Sequence, residues 1–194
     1  MEIITLYGGY DSNFTYILFE NRKAVLIDSA LPAAEIFSEA RKQNAVLEAV
    51  FILHSHFDHI VELEAYREAK ISLYAHDSAP FPVDKKLRDG EQLTVAGMRF
   101  TVLHTPGHRF DAICLRVENC LFTSDTLFVH GCGRTDLPGS DPQQLLASFQ
   151  KLWQLPDDTI IYPGHDYGPT KTSTIQEEKK FFLDERFFKI KANL

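Results

Sequence analysis

Six consecutive residues, His54-Ser55-His56-Phe57-Asp58-His59, put three of the chain's eight histidines and a carboxylate directly after the apolar run Val50-Phe51-Ile52-Leu53. Imidazole nitrogens and carboxylate oxygens are donors suited to zinc, iron and manganese. A strand that stops at a sheet edge lets several such donors turn toward one point while the buried strand holds them still. The inert alternative is an exposed polar turn that happens to be rich in histidine; so many donors after a buried run favour metal binding. The same setting recurs three times. Thr101-Val102-Leu103 leads through Thr105-Pro106-Gly107 to His108, Cys120-Leu121-Phe122 leads to Ser124-Asp125, and Ile160-Ile161-Tyr162 leads through Pro163-Gly164 to His165. Proline fixes one backbone angle and glycine permits a tight turn, so the next side chain is aimed with little freedom. Taken singly, His108 or His165 would read as a structural histidine; beside the cluster they read as ligands.

Short apolar runs that alternate with amphipathic stretches are the pattern of an α/β protein. Strands are predicted at 1–7, 16–19, 24–27, 50–53, 71–75, 98–103, 112–117, 121–123 and 159–162, each rich in β-branched or aromatic residues. Helices are predicted at 32–43, opening on Pro32, and at 60–69, with Leu63 and Tyr66 on one face. A third starts at Asp141-Pro142 and runs to Trp153 with the stripe Leu145, Leu146, Phe149 and Leu152, and Thr174 with Glu177 reads as the capping box of a last helix at about 173–190. The 194 residues, 44% hydrophobic, suit one domain, 1–194, without linker or repeat.

A formal charge of -7 opposes binding along a phosphate backbone, so nucleic acid is not an expected partner. Met1 to Tyr10 lack a basic, long-apolar leader pattern and no run of eighteen apolar residues occurs, which predicts a soluble, cytoplasmic protein without membrane attachment. Cys114, Cys120 and Cys132 are an odd, sparse set that reads as reduced thiols rather than a disulfide framework.

On His54-Ser55-His56-Phe57-Asp58-His59, His108, Asp125 and His165, in that order, the chain resembles the metallo-β-lactamase superfamily over nearly its whole length. The resemblance implies an αββα sandwich with two metal positions along one edge of the paired sheets. On that reading His54, His56 and His108 hold the first of two divalent ions, Asp58, His59 and His165 hold the second, and Asp125 bridges them. Zinc is the first expectation, with iron or manganese open, since the donors do not choose among them. A carboxylate at position 56 would have suggested the di-iron electron-transfer branch; histidine there points to hydrolysis. Zinc β-lactamases usually place a cysteine near the position of Asp125, which argues against that branch.

Gly131-Cys132-Gly133-Arg134-Thr135-Asp136 and Tyr162-Pro163-Gly164-His165-Asp166-Tyr167-Gly168 are similar to segments of two groups acting on glutathione-type thiols, the glyoxalase II-like thioester hydrolases and the persulfide dioxygenases. Asp125-Thr126-Leu127-Phe128 and Asp136-Leu137-Pro138-Gly139-Ser140-Asp141 resemble the first group. Ser173-Thr174, Glu177-Glu178 and the ending from Phe187 to Leu194 resemble the second. Two departures stand out: Ile60-Val61-Glu62 follows His59 where the family usually has a glycine, and Arg109-Phe110-Asp111 follows His108 where thiol-using relatives have threonine and then glycine. Only about thirty residues follow His165, so the helical glutathione-binding domain of glyoxalase II is largely absent and a thiol substrate is expected to be gripped differently.

The hydrolase reading gives Asp58 the catalytic role of orienting hydroxide made available at neutral pH, and a thiolate, with a pKa near about 8.5, leaves without a dedicated acid. The dioxygenase reading uses His54, His108 and Asp125 as a two-histidine, one-carboxylate iron triad. A non-catalytic metal-binding protein is a third reading, disfavoured by the complete donor set. Arg134 and Tyr167 are the candidate contacts for a small thiol-derived substrate, the alternative for Arg134 being a salt bridge to Asp136. Cys132 reads first as a structural thiol and otherwise as a nucleophile or sulfur carrier. His76, His104 and His130 read as non-ligands, with His130 the one that would face the site's mouth. Asp28 either orients a ligand histidine or caps a turn. Phe181, Phe182, Phe187 and Phe188 either dock the last helix on the body or form a homodimer interface.

Overall fold

The computed structural model describes residues 1–183. Side chains sort with period two, the signature of strands covered on both faces. In β2 (Asn13–Glu20) the residues Phe14, Tyr16 and Leu18 point one way and Ile17 and Phe19 the other; β3 (Lys23–Ile27) and β4 (Val46–Phe51) repeat this, with Val25, Ile27, Ala49 and Phe51 opposite Ala24, Leu26 and Val50. The first set packs against a second sheet, and the other set against α1 (Ala33–Lys42) and α2 (Leu63–Glu68).

The first sheet has the order β1-β2-β3-β4-β5-β6, with β1 (Glu2–Gly8), β5 (Ser72–His76) and β6 (Lys85–Leu87) completing it. Its first three strands are antiparallel and the rest parallel. The second sheet has the order β12-β11-β10-β9-β8-β7, formed by β7 (Gln92–Val95), β8 (Met98–His104), β9 (Ile113–Val117), β10 (Cys120–Ser124), β11 (Ile160–Pro163) and β12 (Ser173–Thr174). Its outer face is covered by α3 (Pro142–Leu152) and α4 (Ile175–Leu183) through Leu145, Phe149, Leu152 and Phe182. The layers are αββα, as the family resemblance implies. Among the described residues no helix is long and apolar enough to cross a membrane.

Three strands are absent from the sequence-based assignment: β6, β7 and β12. Two of them, β6 and β7, and the two-residue β12 all lie at sheet edges. An edge strand is half solvated and needs no apolar run, so periodicity does not mark it. The helix predicted at 60–69 begins only at Leu63, because Ile60 bridges to Ser29 and Glu62 takes a left-handed conformation (φ 53°). Glu62 is then free to accept the Ala33 amide at 2.9 Å, which caps α1, a helix with no cap from its own preceding residue Pro32. The other two starts are as predicted. Asp141 accepts the amides of Gln143 and Gln144, and Thr174 and Glu177 bond reciprocally. Phe182 docks against Phe149 and Trp153; Phe187, Phe188 and the predicted helix beyond Leu183 lie outside the described residues.

Several contacts join the sheets at the edge that carries the histidines, two of them made by a strand amide and a buried hydroxyl. The Ile113 amide donates to Leu53 O (2.8 Å), and the buried Tyr16 hydroxyl donates to Pro163 O (2.6 Å), two residues before His165. Replacing Tyr16 with phenylalanine leaves that buried carbonyl short of a donor and should lower stability by about 1–2 kcal/mol. Urea unfolding would show a lower midpoint with an unchanged slope; an unmoved midpoint would mean that the cross-sheet bond adds nothing net.

Candidate metal centre

The ends of β3, β4, β10 and β11 meet at one edge, and the turns that follow them carry Asp28, His54 to His59, Asp125 and His165. His108 arrives from the β8–β9 connection, and Asn13 from the start of β2, where it bridges to His165. All seven predicted ligands converge. The donor atoms of His54, His56, His108 and Asp125 lie within 4.8 Å of one another, as do those of Asp58, His59 and His165. Asp125 touches both groups: its Oδ2 is 3.5 Å from His108 Nε2 and 3.3 Å from His165 Nε2, and its Oδ1 is 3.3 Å from His59 Nε2.

Four imidazoles have their outward nitrogen committed. His59 Nδ1 meets Asp28 Oδ2 (2.9 Å), His108 Nδ1 meets Arg134 O (2.9 Å) and His165 Nδ1 meets Asp11 O (2.6 Å). These oxygens only accept, so each Nδ1 carries the proton. Ser124 Oγ donates to Asp28 Oδ2 (2.6 Å), so it is the acceptor for His54 Nδ1 at 3.1 Å. In the neutral rings every Nε2 is therefore a bare lone pair aimed inward. His59 Nε2 and His165 Nε2 face each other at 3.2 Å, and the buried His54 Nε2 and Asp125 Oδ1 have no hydrogen-bond partner. Such a set is repulsive until positive charge enters it, which is the condition a divalent cation meets; the donor set fits the metal that the family resemblance implies.

The electrostatics agree. Burial penalises the Asp125 carboxylate, but the neighbouring imidazoles, His59 and His54 before His165, outweigh it and hold its pKa well below the ordinary range. Burial likewise opposes a charge on His59, yet Asp125 and Asp28 raise its pKa well above that of a free imidazole. Burial dominates at His54, lowering it strongly, and with His108 nearby it brings His56 down to about 4.

Glycine serves here by close approach rather than by a special φ. A Cβ on Gly164 would sit 2.3 Å from Asp125 Oδ1, and one on Gly133 would sit 2.1 Å from Asp125 O and 2.6 Å from the His108 ring. The donors open into a cleft of about 640 Å3 walled by Tyr10, Phe57, Phe128, Leu137, Arg134 and Tyr167. Arg134 stands at the cleft and pairs in two-pronged fashion with Asp136, both bonds 2.8 Å, so the alternative foreseen for it is formed as well. Tyr167 donates to Asp11 Oδ2 (2.7 Å) and stacks on His165 at 4.7 Å. Cys132 and His130 also line the cleft, whereas His76 and His104 stack on each other, outside both donor groups. Asp28 takes the orienting role. The sequence reading misses Asn13, whose amide donates to Asp58 Oδ2 at 2.9 Å; nothing in Asp11-Ser12-Asn13 sets it apart from a turn.

If Asp28 holds His59 and, through Ser124, His54 in register, then Asp28→Asn should weaken metal retention by about 10- to 100-fold while the far-UV circular dichroism stays unchanged. Metal content after graded chelator dialysis measures this, and wild-type retention would remove Asp28 from the site's support.

A model of the metallo-beta-lactamase superfamily matches residues 66–165, a span that contains His108, Asp125 and His165 and begins after the His54–His59 cluster. The hydroxyacylglutathione hydrolase of Bartonella quintana is 34% identical over 172 residues, 85% of this chain and 66% of its own length. Among the first curated relatives the chain spans only 63–66% of their length. The crystal structure of ETHE1 from Myxococcus xanthus superposes with a TM-score of 0.90 at 33% identity, covering 100% of this chain and 91% of that one. TTHA1623, solved in a di-iron-bound form, gives a TM-score of 0.79 at 27% identity over 92% of this chain and 98% of that one.

Proposed function

From the premise that the chain belongs to the metallo-beta-lactamase superfamily, we propose that it is a metal-dependent thioester hydrolase of the glyoxalase II type, acting on a small thiol-derived substrate. The observation that carries this reading is the convergence of inward-facing imidazole nitrogens with Asp58 and Asp125 on the floor of an apolar-walled cleft. The curated relatives named hydroxyacylglutathione hydrolase support it.

Two divalent ions, zinc in the first place, would be held by His54, His56 and His108 on one side and Asp58, His59 and His165 on the other, with Asp125 between; bound there, they would lower the pKa of a water into the neutral range, to about 7. The protein's own groups do the rest. Asn13 fixes Asp58 through Oδ2, which leaves Oδ1 to orient the attacking water and take its proton. His165 is clamped between the Asp11 carbonyl and the Tyr167 ring, so it cannot swing toward the substrate. His56, only half buried, sits on the cleft side of the donor set. Phe57, Phe128 and Leu137 keep bulk water from the scissile carbonyl, and Arg134 and Tyr167 supply polar contacts to the substrate's far end. The thiolate departs unaided, with a pKa near about 8.5.

A second reading, a mononuclear-iron persulfide dioxygenase, is favoured by one observation: His54, His108 and Asp125 form a two-histidine, one-carboxylate set within the first donor group, independent of Asp58. The two readings part on metal and on Asp58. Metal-loaded protein should turn over members of a panel of glutathione and coenzyme A thioesters, and Asp58→Asn should reduce kcat by about 10²- to 10⁴-fold. One iron per chain in protein purified without added metal, with oxygen consumed on glutathione persulfide and no thioester cleaved, would overturn the hydrolase in favour of the dioxygenase.

A further inference from the structure

One wall of the cleft is a single turn, Phe128 to Arg134, all seven residues of which face the cavity. Its two ends are tied to the metal-site strands. The Thr123 hydroxyl donates to Leu127 O (2.7 Å), the Gly133 amide donates to Asp125 O (3.0 Å), and Arg134 O receives His108 Nδ1. Its middle is a tight bridge between Phe128 and Gly131 that forces His130, a residue with a Cβ, into the left-handed region at φ 58°. A second hold on it comes from outside the turn.

The holder comes from α4. Glu178 is fully buried, and its Oε2 accepts the His130 amide at 2.8 Å, while the His130 ring stacks on Phe181 at 4.4 Å. Its other oxygen, Oε1, is buried with no hydrogen-bond partner among the described residues. A buried carboxyl with an idle oxygen is costly, and a helix that only had to pack would be better served by an apolar residue at that position. The Glu178 Oε2 is engaged by a backbone amide in the cleft wall. Neither Glu178 nor His130 belongs to the donor set.

We propose that Glu178 is the positioning residue of this wall: through the His130 amide it locks the turn Phe128–Arg134 and so sets how tightly the cleft holds its substrate. The proposal rests on the cleft being the substrate site of the hydrolase described above. It assigns α4 a task beyond covering the sheet, because the helix fixes the middle of a turn that the strand ends hold only at its two ends.

Two variants of the full, metal-loaded chain test it. Glu178→Met keeps the size and removes the acceptor, and Glu178→Gln keeps a carbonyl oxygen for the His130 amide. Steady-state kinetics on the best thioester of the panel should show KM raised about tenfold in Glu178→Met with kcat within about threefold of wild type, and Glu178→Gln restored to near wild type. A second measurement needs no substrate: iodoacetamide labelling resolved by peptide mass spectrometry. Cys132, in the turn, should be alkylated about fivefold faster in Glu178→Met, while the fully buried Cys114 stays protected in every variant. Unchanged KM and unchanged Cys132 labelling would overturn the proposal, as would equal exposure of Cys114, which marks general loosening. A Glu178→Gln protein as impaired as Glu178→Met would overturn it too, since charge and not the acceptor would then matter. Where the wild type cleaves no thioester, the hydrolase reading falls and the labelling alone decides the role of Glu178.

Discussion

The Asp28 carboxylate carries more of this architecture than any single ligand does. One oxygen accepts the Leu53 amide at the end of β4, and the other accepts both His59 Nδ1 and the Ser124 hydroxyl, which belongs to the opposite sheet. Ser124 in turn orients His54. One buried anion thus sets the register between two sheets and the tautomers of two imidazoles from different donor groups. Charge-assisted bonds of this kind are short and directional, and in a low dielectric they resist rearrangement. Asp28 reaches all of these partners only because its own backbone turns into the left-handed region (φ 54°), a conformation that aspartate tolerates better than most residues. The αββα layers below need only apolar alternation; at the rim this contact, with the Tyr16–Pro163 and Ile113–Leu53 bonds, places the two sheets within hydrogen-bonding distance.

The rim also violates the rule that the core beneath it obeys. Phe14, Leu53 and Phe122 pack in the apolar layer between the sheets, whereas in the turns beyond the strand ends the lone pairs of His59 and His165 point at one another. Local rules are broken in this way at functional sites, where stability is given up for a poised arrangement. A cation entering the site would turn that repulsion into attraction, so ion binding and the order of the strand ends are linked. The proposed ions and the Asp28 network then act on the same elements from opposite sides, one pulling the imidazoles inward and the other holding them from behind.

Much of this was legible in the sequence because the donors sit where a periodic signal stops. Each apolar run that ends in histidine or aspartate marks both a strand and a ligand, so the αββα class and the convergence of His54, His56, Asp58, His59, His108, Asp125 and His165 could be read together. Edge strands β6, β7 and β12 stayed hidden because half-solvated residues need no pattern. Asn13 stayed hidden for a related reason: its partner Asp58 is 45 positions away, and the pairing of β2 with β3 and of β3 with β4 brings it there. Gly164 reads as a turn former and Gly133 only as part of a family-like segment, yet both serve another use, since the space a Cβ would fill is already taken by Asp125. A contact across the fold leaves no local mark on the chain.

The same contrast explains why the family is plain and the substrate is a matter for proposal. Ligand positions are constrained by strand ends, by outward hydrogen bonds and by close packing, and the family model matches across three of them, His108, Asp125 and His165. The cleft wall is constrained by other things. Phe57 and Tyr10 meet edge to face at 4.9 Å with most of their surface exposed, and Arg134 is held by Asp136 in a loop outside both sheets. Nothing in the metal geometry depends on those side chains, so they can change while the donor set stays the same. The loop after His108 illustrates the point. His108 itself is fixed by Arg134 O, but its neighbour Arg109 reaches Ser55 and the Pro138 carbonyl, tying the metal motif to the outer wall by contacts that relatives with threonine and glycine at that point would lack. Chemistry in this fold is written in the strand ends, and selectivity in the turns that pack over them.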